Sequence, residues 1–158
     1  MTWQDKVIRA GNDKNAVEQQ INEHLRKLCS AMDATHPIIS DYCEKFSSAG
    51  VETKCRLYKQ SATIDGRAAP GSINVRFYAR EVIDGTINVE IINREEGYFE
   101  KYHTLYWIKT SYGAHGISKS KRYKGPIPES DIEEWIKCAT RPKSFLDSLR
   151  QFWYEWSS

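Results

Sequence analysis

The most regular alternation of apolar and polar residues in the chain spans residues 73–93. Apolar residues recur at every second position from Ile73 to Ala79 and from Ile87 to Ile91. They define two segments, residues 73–83 and 86–93, which Asp84-Gly85 separates. A period of two points alternate side chains to opposite faces of a strand, and Asp-Gly is a favoured two-residue turn because both positions tolerate a positive φ. This pattern predicts a β-hairpin with its turn at Asp84-Gly85.

The first fifty residues show apolar spacings of three and four, which are typical of amphipathic helices. Thr2 is a favourable cap for a short helix that we expect to end at Gly11. A second helix is predicted over residues 16–32, with an apolar stripe formed by Val17, Ile21, Leu25, Leu28 and Met32. A third helix is predicted from Thr35 to Gly50, with Pro37 in its first turn, where the missing N–H is tolerated.

After residue 50 the pattern favours strands and turns. A half-buried strand is predicted over residues 52–64, a loop with two glycines and a proline over residues 65–72, a turn over residues 94–97 and an aromatic strand over residues 98–110. Residues 117–123 are compatible with a short fifth strand. Ser130 and Glu133 have the spacing of a capping box, which predicts a helix over residues 131–139.

A last helix is predicted from Pro142 onwards, with a stripe formed by Phe145, Leu149, Phe152, Trp153 and Trp156. The chain is therefore expected to form a single α+β domain over residues 1–158. Its centre is a four-stranded antiparallel meander, or a five-stranded one if residues 117–123 form a strand. Three helices precede the sheet and two follow it. Helices that cover one face of such a sheet leave the other face open, but the sequence does not determine which face they cover.

Size and charge limit the classes of partner. The chain has 158 residues, the size of one domain. Its 23 basic and 21 acidic residues give a formal net charge of +2, so no strong overall field attracts nucleic acids or anionic membranes. No apolar segment is long enough to cross a bilayer, and residues 1–6 lack the pattern of a signal peptide. We therefore expect a cytoplasmic protein without a membrane partner.

The cysteines do not have the spacing of a metal site or of a redox motif. Cys29, Cys43, Cys55 and Cys138 are far apart, and the chain contains no C-x-x-C pair. We expect them to act as small, largely buried apolar residues. The sequence predicts neither a metal ion nor an organic cofactor.

Evidence for catalysis is weak. The sequence motifs of serine hydrolases, P-loop proteins and dinucleotide-binding proteins do not occur. His103 lies within a predicted strand and His115 lies in the predicted loop Gly113-Ala114-His115-Gly116, and a histidine titrates near neutral pH. A small hydrolase or nuclease that uses one of these histidines is therefore an alternative to be tested.

The polar face of the predicted strands is rich in cations and tyrosines. Alternation places Lys54, Arg56 and Tyr58 on one side of one strand, and Arg76, Tyr78 and Arg80 on one side of the next strand. The glycine-containing segment that follows the sheet adds His115, Lys119, Lys121, Arg122 and Lys124. Arginine and tyrosine anchor protein interfaces, and the same residue types also bind the phosphates and bases of single-stranded nucleic acid.

These observations favour a non-enzymatic protein-binding module, such as an inhibitor, an immunity factor or an adaptor. The motifs of common enzymes are missing, and the near-zero net charge makes nucleic acid the second choice of partner. A nucleic-acid-binding protein that uses the same basic and aromatic face is the principal alternative. A solvated sheet face without a partner would have a similar composition.

Overall fold

A computed structural model describes residues 2–57, 63–64, 67–68, 71–98 and 101–144 of the chain. Its elements are α1 (Trp3–Ser48), β1 (Glu52–Leu57), β2 (Thr63–Ile64), β3 (Arg67–Ala68), β4 (Ile73–Ala79), β5 (Ile83–Tyr98), β6 (Lys101–Ala114), β7 (Ile117–Tyr123) and α2 (Glu129–Ala139). Five strands form one antiparallel sheet in the order β1-β4-β5-β6-β7, and β2 pairs with β3 separately. The α+β class and the antiparallel meander are confirmed, and residues 117–123 form its fifth strand.

The three predicted N-terminal helices are wrong, because α1 is one helix of 46 residues. Gly11 does not end it, since this glycine does not take a positive φ and a helical glycine costs only about 1 kcal/mol relative to alanine. Pro37 lies inside the helix, although it lacks the N–H for the usual backbone hydrogen bond. The buried residues Met32, Thr35 and Ile39 surround it in sequence, so contacts with the sheet stabilise the helix there.

Both ends of α1 have identifiable caps. The Thr2 hydroxyl accepts a hydrogen bond from the Asp5 N–H (3.2 Å), and the Asp5 carboxylate accepts one from the Thr2 N–H (3.0 Å). This capping box lowers the pKa of Asp5. At the other end Gly50 has a φ of 93°, and the N–H of Val51 donates to the carbonyl of Phe46 (2.9 Å). The predicted termination at Gly50 is thus confirmed as a Schellman motif.

The hairpin of β4 and β5 has its turn at residues 80–82, so the predicted turn at Asp84-Gly85 is wrong. Ala79 pairs with Ile83 and Phe77 with Gly85, and Arg80 takes a φ of 48° in the turn. This register pairs odd-numbered residues with odd-numbered ones. It places the apolar residues of both strands on one face, where Ile73, Val75, Phe77, Ile87 and Val89 are buried.

Gly85 lies inside β5 because α2 approaches its backbone closely. A Cβ atom at this position would lie 1.7 Å from the carbonyl oxygen of Ala139 and 2.5 Å from the carbonyl carbon. No side chain fits in that space. The Asp-Gly pair therefore reflects contact between the sheet and α2, and not a turn.

Other predicted boundaries also shift. The predicted turn at residues 94–97 is part of β5, because pairing with β6 continues from Arg94 with Leu105 to Tyr98 with Lys101. The predicted strand over residues 52–64 is divided between β1 and β2, and residues 67–68 of the predicted loop form β3. The predicted capping box at Ser130 is wrong: α2 starts at Glu129 after Pro128, without a side-chain cap. The predicted helix from Pro142, with its stripe from Phe145 to Trp156, lies outside the described residues.

Both helices lie on the same face of the sheet. The core combines residues of α1, the sheet and α2, and its largest fully buried side chains include Leu28, Met32, Ile39, Phe77, Tyr112 and Trp135. Edge-on ring contacts join Phe46 to Phe77 and Tyr123 to Trp135. Among the described residues, no helix is both long enough and apolar enough to cross a membrane.

Candidate functional site

The sheet face opposite α1 and α2 is the candidate site, and we call it the open face. In each strand the residues on this face alternate with the buried ones. Most of its side chains are polar or charged and exposed: Glu52, Lys54, Arg56, Asn74, Arg76, Tyr78, Asp84, Thr86, Asn88, Glu90, Lys109, Ser111, Ser118, Ser120 and Arg122. Ile92 and Trp107 pair on the same face, where Trp107 is buried. Neither helix restricts access to it.

Arg76 contacts both an acidic and an aromatic side chain on the open face. Its Nε donates to Asp84 Oδ1 (3.4 Å), and its guanidinium carbon lies 5.1 Å from the ring centroid of Tyr78. The pairing of Tyr78 with Asp84 across β4 and β5 brings these groups together. An ion pair this exposed contributes at most about 1 kcal/mol to stability. Its main effect is to hold the guanidinium and the phenol ring in a fixed orientation.

A shallow depression lies beside this cluster, between β1 and β4. Glu52, Lys54, Arg76 and Tyr78 line it, and its volume is about 250 Å³. Lys54 pairs with Arg76 across the strands, and its Nζ lies 3.9 Å from Glu52 Oε1. The volume is below the roughly 300–1,000 Å³ of typical small-molecule sites. The depression is suited to one polar side chain of a partner protein.

A second cation lies at the far side of the open face. The Arg122 guanidinium on β7 stacks over the ring of Trp107 on β6, 5.0 Å from its centroid. Three strand spacings of about 4.8 Å separate β7 from β4, so the strands that hold Arg122 and Arg76 lie roughly 14 Å apart. Lys109 pairs with Arg122, so the cations of the open face form one group on β1 and β4 and another on β6 and β7. Between them, β5 contributes acidic and uncharged polar side chains from Asp84 to Glu90.

The structure separates several residues that the sequence grouped together. Lys119 and Lys121 pair with Tyr112 and Thr110, which places them on the helix-covered side of β7. Lys121 donates to Glu134 of α2 (2.9 Å), and this hydrogen bond raises its pKa. Lys124 is exposed just beyond β7. Tyr58 lies outside the described residues.

Arg80 and His115 lie in turns at one end of the sheet. Arg80 is exposed in the β4–β5 turn, and His115 takes a φ of 53° between β6 and β7. The His115 Nε2–H donates to the carbonyl of Arg141 (3.0 Å). Since the Arg141 guanidinium donates to the carbonyl of Ala114 (3.1 Å), this histidine helps to fix the segment after α2. The side chain of His103 lies outside the described residues.

The sequence reasoning missed the acidic and amide residues of the open face. Asp84 was predicted to lie in a turn, and Glu52, Asn88 and Glu90 were not included in the predicted site. The signal was present, because these residues occupy the polar positions of the same alternating segments. Trp107 was missed because residues 105–108 are all apolar or aromatic, so alternation does not assign this side chain to a face.

The described residues do not include a group of three or more His, Cys, Asp or Glu side chains that could hold a metal ion. Burial, together with the neighbouring Cys55 thiol, raises the pKa of Cys43 to about 12, so this thiol is not activated as a nucleophile. Comparison of the chain with protein-family models, with curated proteins and with solved structures found no match. The function must therefore be argued from the open face itself.

Proposed function

We propose that this protein is a non-enzymatic protein-binding module, such as an inhibitor, an immunity factor or an adaptor, and that the open face is its interface. The observation that carries the proposal is the Arg76, Tyr78 and Asp84 cluster. Arg76 and Asp84 side chains are 52% and 49% exposed, and Tyr78 is 37% exposed. Arginine and tyrosine are the residues most often found at the energetic centre of interfaces.

The fixed orientation of Arg76 is what distinguishes it from an ordinary surface cation. A free arginine loses much of its rotamer freedom when a partner binds it, which weakens association. Here Asp84 and the Tyr78 ring already restrict the guanidinium. Part of this loss of conformational entropy has therefore already occurred in the free protein, so less is lost on binding. The outer edge of the guanidinium remains exposed and is suited to a carboxylate or a carbonyl group of the partner.

The charge distribution favours a protein over a nucleic acid as the partner. Acidic and basic side chains alternate on the open face: Glu52 lies beside Lys54, Asp84 beside Arg76, and Glu90 pairs with Lys109. A phosphate backbone would meet carboxylates at each of these positions. Nucleic-acid-binding surfaces instead concentrate positive charge. A mixed surface provides the electrostatic complementarity that gives specificity between proteins.

The proposal is tested by capture from a cell lysate with matched variants. The double variant Arg76→Glu, Tyr78→Ala removes the cluster, and Arg26→Glu makes the same charge reversal on the exposed side of α1. We expect the wild type to capture a partner protein, and nuclease treatment should not abolish this capture. The double variant should no longer capture the partner, whereas Arg26→Glu should still capture it. A partner that both variants retain would refute the role of the open face. Captured nucleic acid that is lost with increasing salt would support the nucleic-acid alternative instead.

A further inference from the structure

The N-terminal part of α1 projects beyond the folded body. All residues of the segment 3–20, which we call the α1 extension, are exposed, whereas the buried residues of α1 begin at Leu25. At 1.5 Å per residue the extension is roughly 27 Å long. Its large apolar side chains are nevertheless exposed: Trp3 73%, Val7 62%, Ile8 62% and Val17 47%. Among the described residues, none buries these side chains in apolar surroundings.

The composition of the extension does not favour an isolated helix. Residues 11–15 read Gly-Asn-Asp-Lys-Asn, and glycine, asparagine and aspartate are weak helix formers. Single helices of this length are marginal in water, and most helical stability in proteins comes from contact with a neighbour. A partner that covers the apolar side would account for both the helix and its exposed residues.

The apolar residues of the extension follow a heptad pattern. Positions 3, 7, 10, 14, 17 and 21 have alternating spacings of four and three, and they are occupied by Trp3, Val7, Ala10, Lys14, Val17 and Ile21. This spacing produces the seam of a two-stranded coiled coil. Ile21 is half-buried against the core, so the seam starts where α1 leaves the body. The seam therefore extends the apolar stripe of α1 into solvent.

We propose that the α1 extension pairs with the α1 extension of a second copy of this chain as a short antiparallel coiled coil. In an antiparallel pair whose two-fold axis lies near residue 12, residue n faces residue 24 − n. Trp3 then faces Ile21, Val7 faces Val17, and Ala10 faces Lys14. These layers span the exposed segment from Trp3 and end at the half-buried Ile21. Each folded body lies at the opposite end of the pair, so the bodies do not compete for space.

Charge supports the antiparallel direction. Residues 2–12 contain Asp5, Lys6 and Arg9, and residues 13–22 contain Asp13, Lys14 and Glu18. The first half therefore has a charge of +1 and the second half −1, so each half faces its opposite in an antiparallel pair. A parallel pair would instead align Lys14 with itself and place Asp13 beside Glu18. Both arrangements are repulsive.

Gly11 provides independent support for close approach of a second helix. A Cβ at this position would meet nothing within 4 Å in the protomer, and its φ is not positive. Neither space nor backbone conformation within the protomer requires a glycine there. In the antiparallel pair, Gly11 lies beside the seam next to the two-fold axis, where the absence of a side chain lets two helices approach closely.

The first test is the dissociation constant of the full-length protein, measured by sedimentation equilibrium. Val7 and Ile8 are both 62% exposed and adjacent, but only Val7 lies in the seam. Val7→Glu should weaken the dimer by at least about tenfold, because it buries a charge in an apolar layer. Ile8→Glu is the matched control and should change the dissociation constant of the dimer by less than about threefold, as expected for a solvated position. A monomeric wild type at about 100 μM, or equal effects of both variants, would overturn the proposal.

A charge exchange tests the direction of the pair. In the antiparallel pair, Val7→Glu combined with Val17→Lys places opposite charges in the same layers. The double variant Val7→Glu, Val17→Glu places like charges there. We expect the first to dimerise at least about tenfold more tightly than the second. Equal dissociation constants would refute the antiparallel arrangement, because a parallel pair aligns like charges in both variants. Circular dichroism of each variant verifies that the body remains folded.

Discussion

Substitution of Gly85 by alanine tests how α2 is held against the sheet. The added Cβ would lie 1.7 Å from the Ala139 carbonyl oxygen and 2.8 Å from the Ala139 Cα. Both atoms belong to the backbone of α2, so a change of rotamer cannot relieve the clash. To restore ordinary contact the end of α2 must move by roughly 2 Å, which also disturbs the buried Trp135 and Ile136. Overpacking in a core costs about 1–3 kcal/mol and occasionally more, and we expect a value of at least about 3 kcal/mol here.

Thermal unfolding followed by circular dichroism measures this effect. For a chain of this size, a loss of about 3 kcal/mol lowers Tm by roughly 6–12 °C. Gly125→Ala is the control, because its Cβ would meet nothing within 4 Å, and it should change Tm by less than about 2 °C. Gly85→Asn separates a strand position from a turn position. Asparagine is tolerated in a left-handed turn, so a smaller loss with Gly85→Asn than with Gly85→Ala would refute the strand assignment.

Three further predictions concern the helices and the open face. Tyr123→Phe removes a hydrogen bond from the hydroxyl to Asp131 (2.8 Å) and should cost roughly 1–2 kcal/mol in urea unfolding. Burial and this bond raise the pKa of Tyr123 above 10. The contribution of Tyr123 to the free energy of unfolding should therefore be complete below pH 10 and decline as pH rises further. Tyr123→Phe should abolish that decline. The capping box lowers the pKa of Asp5 below 3.8. The stabilisation of α1 by this capping box should therefore be present above pH 3.8 and disappear as pH falls further. The NMR amide signals of Thr2 and Asp5 measure this loss. Arg76→Glu with Tyr78→Ala should change the free energy of unfolding by less than about 1 kcal/mol, because both side chains are exposed.

The two faces of the sheet could be predicted from the sequence, but the registers between its strands could not. The alternation in residues 73–93 correctly predicted two strands and their apolar sides. The apolar residues of each strand share one face wherever the turn between the strands lies. The turn was placed at Asp84-Gly85 because local preference suggested it. What determines the position of Gly85 is contact with Ala139, which is distant in sequence. No local pattern reports such a contact.

The helix boundaries failed for a related reason. Gly11 and Pro37 are strong local signals for the end or the start of a helix. Pro37 lies inside α1 because buried contacts from Leu25 to Cys43 stabilise the helix on both sides of it. Gly11 lies inside α1 without a positive φ, in the exposed α1 extension. Gly50, by contrast, combines a local signal with a left-handed conformation, and the predicted end of the helix there is confirmed.

The candidate site was predictable in part. Lys54, Arg56, Arg76 and Tyr78 lie on the same face, as their even spacing implies. Lys119 and Lys121 lie on the other side of β7 from Arg122, because residues 117–123 form a strand in which successive side chains point to opposite faces. The role of Asp84 in orienting Arg76 depends on the strand register, and register could not be predicted from the sequence.

The proposed interface on the open face and the proposed pairing of two α1 extensions together predict a dimer with two partner-binding faces. An antiparallel pair of extensions places two bodies, and so two open faces, at opposite ends of one assembly. A partner with two binding sites could then be bound at both ends, and the effective concentration of the second site would increase the apparent affinity. Val7→Glu should reduce that gain without changing the affinity of a single open face.

The affinity of the captured partner for purified protein tests the central claim most directly. Titration calorimetry would compare the wild type with Arg76→Glu and with the distant control Arg26→Glu. If the open face is the interface, Arg76→Glu weakens binding by at least about tenfold, in line with the loss of about 1.4 kcal/mol or more at an interface anchor. Arg26→Glu should leave the affinity unchanged. Equal affinities of the wild type and Arg76→Glu would contradict the claim that this face binds the partner.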